Sequence, residues 1–297
     1  DSKDVPSAGA PDNIPGENTP VVQTHPYRKR RKLTLFLLCI SCFCGGNIYS
    51  LMAPFMPLEA KRKGLSSIQI GIVFGIFQLG LFISSPLIGN YLSRLGAKFV
   101  VVLGLCAGGL PAVLFGLIIY LPSGAPFFAA ALILRAADAL GGAGVFTACY
   151  AIAAVVYPER MSLAFGLIQT SMSFGLMVSP AIGGLLYQIG GFSLPFFVVG
   201  GFTILYAVVF QVMLPPIEDV EYERKASVFS LLRSGLVWVT IVCIFNSAIG
   251  SMFMAPALSL HLEQFKLPSS IVGLLFVITP TFYGLSAPLW GLICDKT

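Results

Sequence analysis

Residues 52–54 read Met52-Ala53-Pro54, and the same three residues return as Met254-Ala255-Pro256. When 52–94 is aligned with 254–296, an offset of 202, 13 of 43 positions are identical. That is more than a shared apolar composition would give by itself. The offset spans six apolar stretches, an even number, so both copies cross a membrane in the same direction. The sequence therefore predicts a parallel repeat of a six-helix unit.

The composition is typical of a polytopic membrane protein. Of the 297 residues, 56% are hydrophobic and 10% are charged, and the mean hydropathy is +0.87, whereas soluble domains carry about 25% charged residues. This excludes a soluble enzyme, a disordered chain and a disulfide-rich secreted module. A helix that crosses a bilayer needs about 20 apolar residues. Eight stretches qualify as spans: 33–57, 66–92, 99–121, 126–156, 162–187, 193–214, 235–260 and 268–293.

The polar segments divide the chain into four predicted parts. Residues 1–32 are expected to form a disordered cytoplasmic tail, and 33–214 an N-terminal six-helix bundle. Residues 215–234 form a hydrophilic cytoplasmic linker, and 235–297 the first two helices of a second bundle. Because a six-helix unit repeated gives twelve helices, the predicted fold is an all-α membrane protein of which this chain holds about eight helices.

Lys and Arg are distributed unequally between the two sides of the membrane. With the N-terminus in the cytoplasm, twelve of those that flank the spans lie on the cytoplasmic side, and only Lys61, Arg62, Lys63 and Lys266 lie opposite. This asymmetry predicts a cytoplasmic N-terminus. The basic cluster 28–32 is interpreted as a topology signal at the bilayer surface rather than as a nucleic-acid site. The bilayer is the expected partner; the sequence indicates no oligomeric state.

Two charged residues lie well inside a predicted span, Arg135 and Asp138 in the fourth. Each costs about 2.5–3.5 kcal/mol on insertion scales. Three residues apart on a helix, they share a face and can pair. A carboxylate in mid-membrane can bind a proton or an organic cation. Burial favours its protonated form, while Arg135 favours its ionised form. The alternative is a self-neutralising pair that only fixes helix packing.

Other polar side chains inside the spans can line a cavity. The candidates for the substrate site are Asn47, Tyr49, Gln78 and Tyr150. The tyrosine rings can hold a cation, although each of the four residues can equally serve as an interhelical hydrogen-bond partner. Glu59, beside Lys61 and Arg62 at the non-cytoplasmic mouth, is predicted to form a solvated ion pair.

The sequence indicates no catalytic or metal chemistry. Cys39, Cys42 and Cys44 have no accompanying His or acid, so they are interpreted as packing residues. There is no paired His and no nucleophile elbow. We therefore expect a protein that is not an enzyme, that uses no cofactor and that takes its energy from a proton gradient.

The turn after the second span resembles the cytoplasmic G-x-x-x-D-[RK]-x-G signature of the major facilitator superfamily. Its residues, and those of the second copy, are Gly89, Arg94, Gly96, Gly291, Asp295 and Lys296. Glycine allows close helix contact, and the acid and base form a charge network that can hold one conformation. Ser93 departs from the pattern, since an acid is usual there. The alternative is an ordinary basic turn.

The fifth span contains a stretch that resembles the G-x-x-x-G-P-x-x-G-G motif of antiporter branches of that superfamily. Its motif residues are Gly175, Ser179, Pro180, Gly183 and Gly184. Small residues four apart make a flat face suited to close helix contact. The resemblance implies that this face packs between the two halves and gates the cavity. The alternative is a general packing face.

The stretches 53–66, 89–99 and 186–196 together resemble the vesicular amine transporter family, and most of all its vesicular polyamine branch. The resemblance implies the major facilitator fold and alternating access. It also implies proton-coupled antiport of organic cations such as spermidine and spermine at an intracellular vesicle membrane. Monoamine members carry an acid where this chain has Asn47 and Tyr49, which argues against a monoamine. The alternatives are a plasma-membrane exporter of drugs or metabolites and a transport-inactive membrane scaffold.

Overall fold

The computed structural model of the chain describes residues 27–214, 237–246 and 277–294, together with 233 and 235. Within these ranges the chain is helical. The helices are α1 (Tyr27–Leu51), α2 (Met56–Arg62), α3 (Ser67–Leu95), α4 (Ala97–Leu117), α5 (Ala125–Val156), α6 (Met161–Gly190), α7 (Ser193–Met213), α8 (Val237–Asn246) and α9 (Ile278–Cys294). Short 3₁₀ turns follow α4 at Ile118–Tyr120 and precede α6 at Pro158–Arg160.

The predicted all-α membrane fold is confirmed. Six helical segments are long and apolar enough to cross a bilayer: Arg30–Arg62, Ser67–Leu95, Ala97–Tyr120, Ala125–Val156, Pro158–Gly190 and Ser193–Met213. They coincide with the first six predicted spans. The seventh and eighth spans are described only as α8 and α9. The N-terminal tail as far as residue 26, most of the linker, and Asp295 and Lys296 lie outside the described residues.

Local sequence signals set the ends of α3. Ser66 begins it with a capping box, in which its hydroxyl accepts from the Gln69 backbone N–H (3.3 Å) and the Gln69 amide oxygen accepts from the Ser66 N–H (2.8 Å). Gly96 ends it with a φ of 81°, a conformation that favours glycine. The turn at Gly96 then leads directly into α4.

Glycines bring α5 very close to two neighbouring helices. A Cβ atom on Gly141 would lie 2.5 Å from the backbone nitrogen of Gly108 on α4. A Cβ atom on Gly80 of α3 would lie 2.6 Å from the Cβ of Ala139. Such approaches are typical of membrane helices, which associate through small residues. They fix α3 and α4 against the middle of α5.

Helix α6 lies between α1 and α9. On the α1 side, Cβ atoms on Gly46 and Gly175 would each lie 2.4 Å from a carbonyl oxygen of the facing helix. On the α9 side, a Cβ atom on Gly291 would lie 2.7 Å from the carbonyl oxygen of Ser162. Through α6, the first bundle therefore contacts α9, which lies in the second span of the repeat's second copy.

Hydroxyl groups join α6 to both neighbours. Toward α1, Ser179 donates to the Asn47 carbonyl (2.6 Å). Toward α9, the Thr170 hydroxyl lies 2.9 Å from the Gly284 carbonyl and 2.9 Å from the Gly166 carbonyl of its own helix. Likewise, the Thr281 hydroxyl of α9 lies 3.0 Å from the Met177 sulfur and 2.7 Å from its own Val277 carbonyl.

The end of the bundle that carries α2, here called the α2 end, is tied together by polar contacts. Lys63 donates to the carbonyls of Ile119 (2.6 Å) and Leu121 (2.9 Å), beyond the end of α4. The Gly124 N–H, just before α5, donates to the Lys63 carbonyl at 2.9 Å. These bonds hold the turn between α2 and α3 against the neighbouring loop.

Candidate functional site

The two charged side chains predicted on one face of the fourth span form a buried ion pair on α5. Arg135 Nη1 donates to Asp138 Oδ2 at 2.6 Å, and the two residues are 1% and 6% exposed. Taking both charges out of water costs several kcal/mol per ion, which only a well-placed partner offsets. The predicted pairing is thus present, in the interior of the bundle.

Two aromatic rings flank the Arg135 guanidinium. Its Cζ lies 4.5 Å from the Phe77 ring centroid and 5.7 Å from that of Tyr49, and the two rings are 4.9 Å apart. Gln78 Nε2 donates to the Tyr49 hydroxyl at 3.0 Å. Such ring faces attract cations. We call Arg135, Asp138, Tyr49, Phe77 and Gln78 together the Arg135 site.

The close helix contacts explain why these residues meet. Gly80 follows Phe77 by about one turn and lets α3 approach α5, which brings Phe77 and Gln78 to Arg135. On the other side, a Cβ atom on Gly108 of α4 would lie 3.6 Å from Asp138 Oδ1. The acid therefore faces α4, while the guanidinium faces α3 and α1.

The Arg135 site has hydrogen-bonding capacity that the described residues do not use. Arg135 Nε and Nη2 are buried without a hydrogen-bond partner among them, and so is Asn47 Oδ1. Leaving such groups unpaired costs about 1–3 kcal/mol each. Binding of a proton or cation by this pair, and a role in helix packing alone, both stay predictions.

Two of the predicted substrate residues lie apart from the pair. Tyr150 donates to Gln169 Oε1 of α6 at 2.5 Å, and its ring packs edge-on against Phe165 with centroids 5.1 Å apart. Asn47 lies on the part of α1 that contacts α6, where its carbonyl accepts from Ser179. The structure brings Tyr49 and Gln78 to the Arg135 site. A role of any of the four residues in substrate binding stays a prediction.

The residues of the predicted cytoplasmic signature are described in part. A Cβ atom on Gly89 would lie 3.7 Å from Thr147 Cγ2 of α5, an ordinary contact. Arg94 Cζ lies 6.0 Å from the Tyr91 ring centroid, and Gly96 forms the turn to α4. Gly291 packs closely on α6. Because Asp295 and Lys296 lie outside the described residues, the charge network stays a prediction.

The interpretation of the Gly175–Gly184 stretch as a face between the two halves needs correction. A Cβ atom on Gly175 would lie 2.4 Å from the Phe43 carbonyl oxygen, and one on Gly183 would lie 2.8 Å from that of Leu51. Ser179 also bonds to α1, and Pro180 and Gly184 are buried. The small-residue face of α6 therefore packs on α1, inside the first bundle. A different face of α6 contacts α9.

Glu59 also differs from its predicted state. It is 8% exposed rather than solvated, although its partner Arg62, which donates to Oε1 at 2.8 Å, is largely exposed. The Tyr187 hydroxyl of α6 donates to the same oxygen. The predicted ion pair is present, but the carboxylate is not solvated, because Tyr187, 128 residues away, covers it.

Phe77 is the residue of the Arg135 site that sequence reasoning missed. Phenylalanine is common in apolar spans, and nothing in the sequence distinguishes this one from a lipid-facing ring. Within the described residues, no group of three or more His, Cys, Asp or Glu side chains is placed to hold a metal ion.

We expect Phe77→Leu to remove the cation–π contact with Arg135 and so to lower the melting temperature of the purified full-length protein. A buried cation–π contact contributes about 2 kcal/mol. Lost packing would also lower stability, so the same change should be made in an Arg135→Gln background, where a double-mutant cycle isolates the pairwise contribution. Phe82→Leu, at a ring that is 77% exposed, is the control. Equal effects of Phe77→Leu with and without Arg135 would contradict the contact.

The chain matches known proteins over most of its length. The sequence profile of the Major Facilitator Superfamily matches residues 38–297. The MFS-type transporter SLC18B1 of Homo sapiens is 35% identical over 277 residues, which cover 92% of this chain and 60% of that protein. The mouse protein of the same name is 34% identical over 252 residues, 84% of this chain and 54% of that protein. The chain thus spans little more than half the length of these curated relatives.

More distant relatives carry two kinds of name. A probable vesicular acetylcholine transporter-B of Danio rerio is 29% identical over 204 residues, 65% of this chain and 40% of that protein. The multidrug resistance protein MdtG of Serratia proteamaculans (strain 568) is 28% identical over 286 residues, 89% of this chain and 66% of that protein. With the helical fold and the family profile in agreement, this multi-pass membrane chain belongs to the Major Facilitator Superfamily.

Proposed function

We propose that the full-length protein is a secondary active transporter that exchanges organic cations for protons by alternating access. Polyamines such as spermidine and spermine are the proposed substrates. The similarity to the MFS-type transporter SLC18B1 supports transport, and the similarity to a probable vesicular acetylcholine transporter supports an amine-type substrate and a vesicle membrane as the location.

The observation that carries the proposal is the buried Arg135–Asp138 pair beside two aromatic rings. A single carboxylate can be neutralised by Arg135, by a proton or by a substrate ammonium group, and these partners compete. Competition between proton and substrate for one acid couples their movements, because binding of one favours release of the other. Tyr49 and Phe77 offer ring faces that attract a second cation when Arg135 moves away.

Uptake into vesicles tests the proposal. We expect the full-length protein, reconstituted in liposomes with an acidic interior, to accumulate radiolabelled spermidine until a protonophore collapses the gradient. Empty liposomes and the same vesicles without a pH gradient are the controls. No uptake above empty liposomes, while the protein remains folded, would contradict the proposal.

A second candidate is export of drugs or other metabolites at the plasma membrane. The similarity to multidrug resistance protein MdtG over 89% of the chain favours it. A panel of hydrophobic monovalent cations and polyamines in the same assay separates the two functions. Transport of the hydrophobic cations with polyamines excluded would favour the exporter. A ligand-induced thermal shift with no flux would instead indicate the transport-inactive scaffold.

A further inference from the structure

Asp138 lies at a small cavity inside the first bundle. The cavity has a volume of about 10 Å³, at the lower limit for holding one water molecule. Apart from Leu134, Arg135 and Asp138 of α5, its lining is Ile48, Met52, Pro111, Ala112, Phe115 and Phe196. These residues come from α1, α4 and α7. The cavity lining includes no residue of α6 or of α9, the helices through which the described parts of the two repeats meet.

Arg135 and Asp138 both line the cavity, but they have different further neighbours. The guanidinium lies against Phe77 and Tyr49, the rings to which we assign the substrate cation. The carboxylate faces Gly108 and the cavity. A proton that reaches Asp138 through the cavity does not have to pass the aromatic pair.

Aromatic rings close the cavity toward the α2 end. Phe115 and Phe196 line the cavity with ring centroids 5.0 Å apart. The ring centroid of Phe55 lies 5.7 Å from that of Phe196, and the Tyr187 ring stacks on Phe55 with centroids 5.0 Å apart. The rings lead step by step from the cavity to a tyrosine hydroxyl. That hydroxyl donates to the carboxylate of Glu59.

Glu59 lies at the outer end of this row of rings, next to the Tyr187 hydroxyl. Its side chain is 11% exposed, and its partner Arg62 is 71% exposed, so the acid lies at the boundary between the bundle interior and the surface. Among the described residues, Arg62 on its own helix and Tyr187 on α6 bond to Glu59. Lys63 is turned away and bonds to the carbonyls of Ile119 and Leu121.

We propose that protons reach Asp138 through the bundle interior between α1, α4 and α7, with Glu59 as the relay at the mouth and Phe196 as the barrier. This inference rests on the proposed proton coupling. A proton from the aqueous phase binds a Glu59 carboxylate oxygen. It passes along water that enters as Phe196 rotates, and it binds an Asp138 oxygen in place of Arg135. One proton moves, its positive charge offsets the loss of the Arg135 contact, and no bond other than O–H forms or breaks.

Two measurements on the full-length protein test this route. The first is the rate at which Asp138 takes up a proton after a pH jump, followed by the infrared carboxyl band that is missing in Asp138→Asn. We expect Glu59→Gln to slow this rate about tenfold or more, since relay groups typically contribute at least that much. Glu159→Gln, at an exposed carboxylate that pairs with Arg31 away from this route, is the control and should remain near the wild-type rate.

The second measurement is proton leak in liposomes without substrate. We expect Phe196→Ala to raise the leak, because it removes a ring that lines the cavity. Phe192→Ala is the control, since Phe192 packs 5.1 Å from Phe196 but does not line the cavity. Wild-type protonation kinetics in Glu59→Gln, or equal leak in the two phenylalanine variants, would overturn the route.

Neither readout requires substrate transport, so the proposed function and the route can fail separately. Absence of proton-driven uptake by the wild-type protein would refute the function while the infrared and leak measurements still decide the route. If the function holds, Glu59→Gln should lower proton-driven uptake and leave substrate-for-substrate exchange unchanged, since exchange needs no net proton movement.

Discussion

Asp138→Asn is expected to reduce proton-driven uptake by about 100-fold or more, the contribution of a group that must gain and lose a proton in each cycle. The amide keeps the shape of the side chain but cannot titrate. It also leaves Arg135, which is 1% exposed, without its ionic partner. An unpaired buried charge costs about 3–5 kcal/mol, so the measurement must include the amount of folded protein in the membrane.

A charge-free variant separates chemistry from folding in this experiment. Arg135→Met combined with Asp138→Leu replaces both ions with apolar side chains of similar size, and such replacements of a buried pair are often close to neutral for stability. We expect the double variant to fold like the wild type and to lack proton-driven uptake. Uptake at the wild-type rate in the folded double variant would remove the pair from the mechanism.

Gly175→Ala is expected to separate α6 from α1 and lower the melting temperature by about 5 °C. The added Cβ atom would lie 2.4 Å from the Phe43 carbonyl oxygen and 3.0 Å from the Asn47 nitrogen. Both are backbone atoms, so no side chain can rotate away. Overpacking against rigid backbone costs up to about 3 kcal/mol, and the gain in helix propensity of about 1 kcal/mol offsets only part of that.

Gly201→Ala provides the matched control, because nothing lies within 4 Å of a Cβ atom placed there on α7. It gains the same propensity without a clash, so its melting temperature should equal or exceed that of the wild type. The comparison uses fluorescence-monitored unfolding of the purified full-length protein in detergent. Equal melting temperatures for the two alanine variants would show that the α1–α6 contact tolerates a methyl group.

The positions of the first six spans could be predicted from the sequence, because a bilayer demands a long apolar run in each helix. The pairing of Arg135 with Asp138 also followed from local geometry, since both lie on one helix. The rotation of each helix about its axis could not be predicted. For this reason Phe77, which stacks on Arg135, could not be told apart from Phe82, which is 77% exposed.

The errors at α6 and Glu59 have the same physical origin. Gly175, Ser179 and Gly183 do form one flat face, as their spacing indicates, but spacing does not identify the helix that the face contacts. Glu59 is covered by Tyr187, a contact between two segments far apart in the chain. Both depend on tertiary neighbours, which a single sequence does not specify.

The threonines between α6 and α9 have a consequence for how the two repeats can part. Each threonine hydroxyl has one hydrogen to donate. The hydroxyls of Thr170 and Thr281 each have one acceptor on the facing helix and a second acceptor in their own helix. If α9 moves away from α6, each hydroxyl can still donate to the carbonyl of its own helix. Separation therefore leaves neither hydroxyl unpaired in a low-dielectric medium, which would be costly. Ser179 instead reaches across to α1 for its acceptor. Separation of α9 from α6 thus leaves these two threonine hydroxyls with an acceptor, whereas separation of α1 from α6 would remove the acceptor of Ser179.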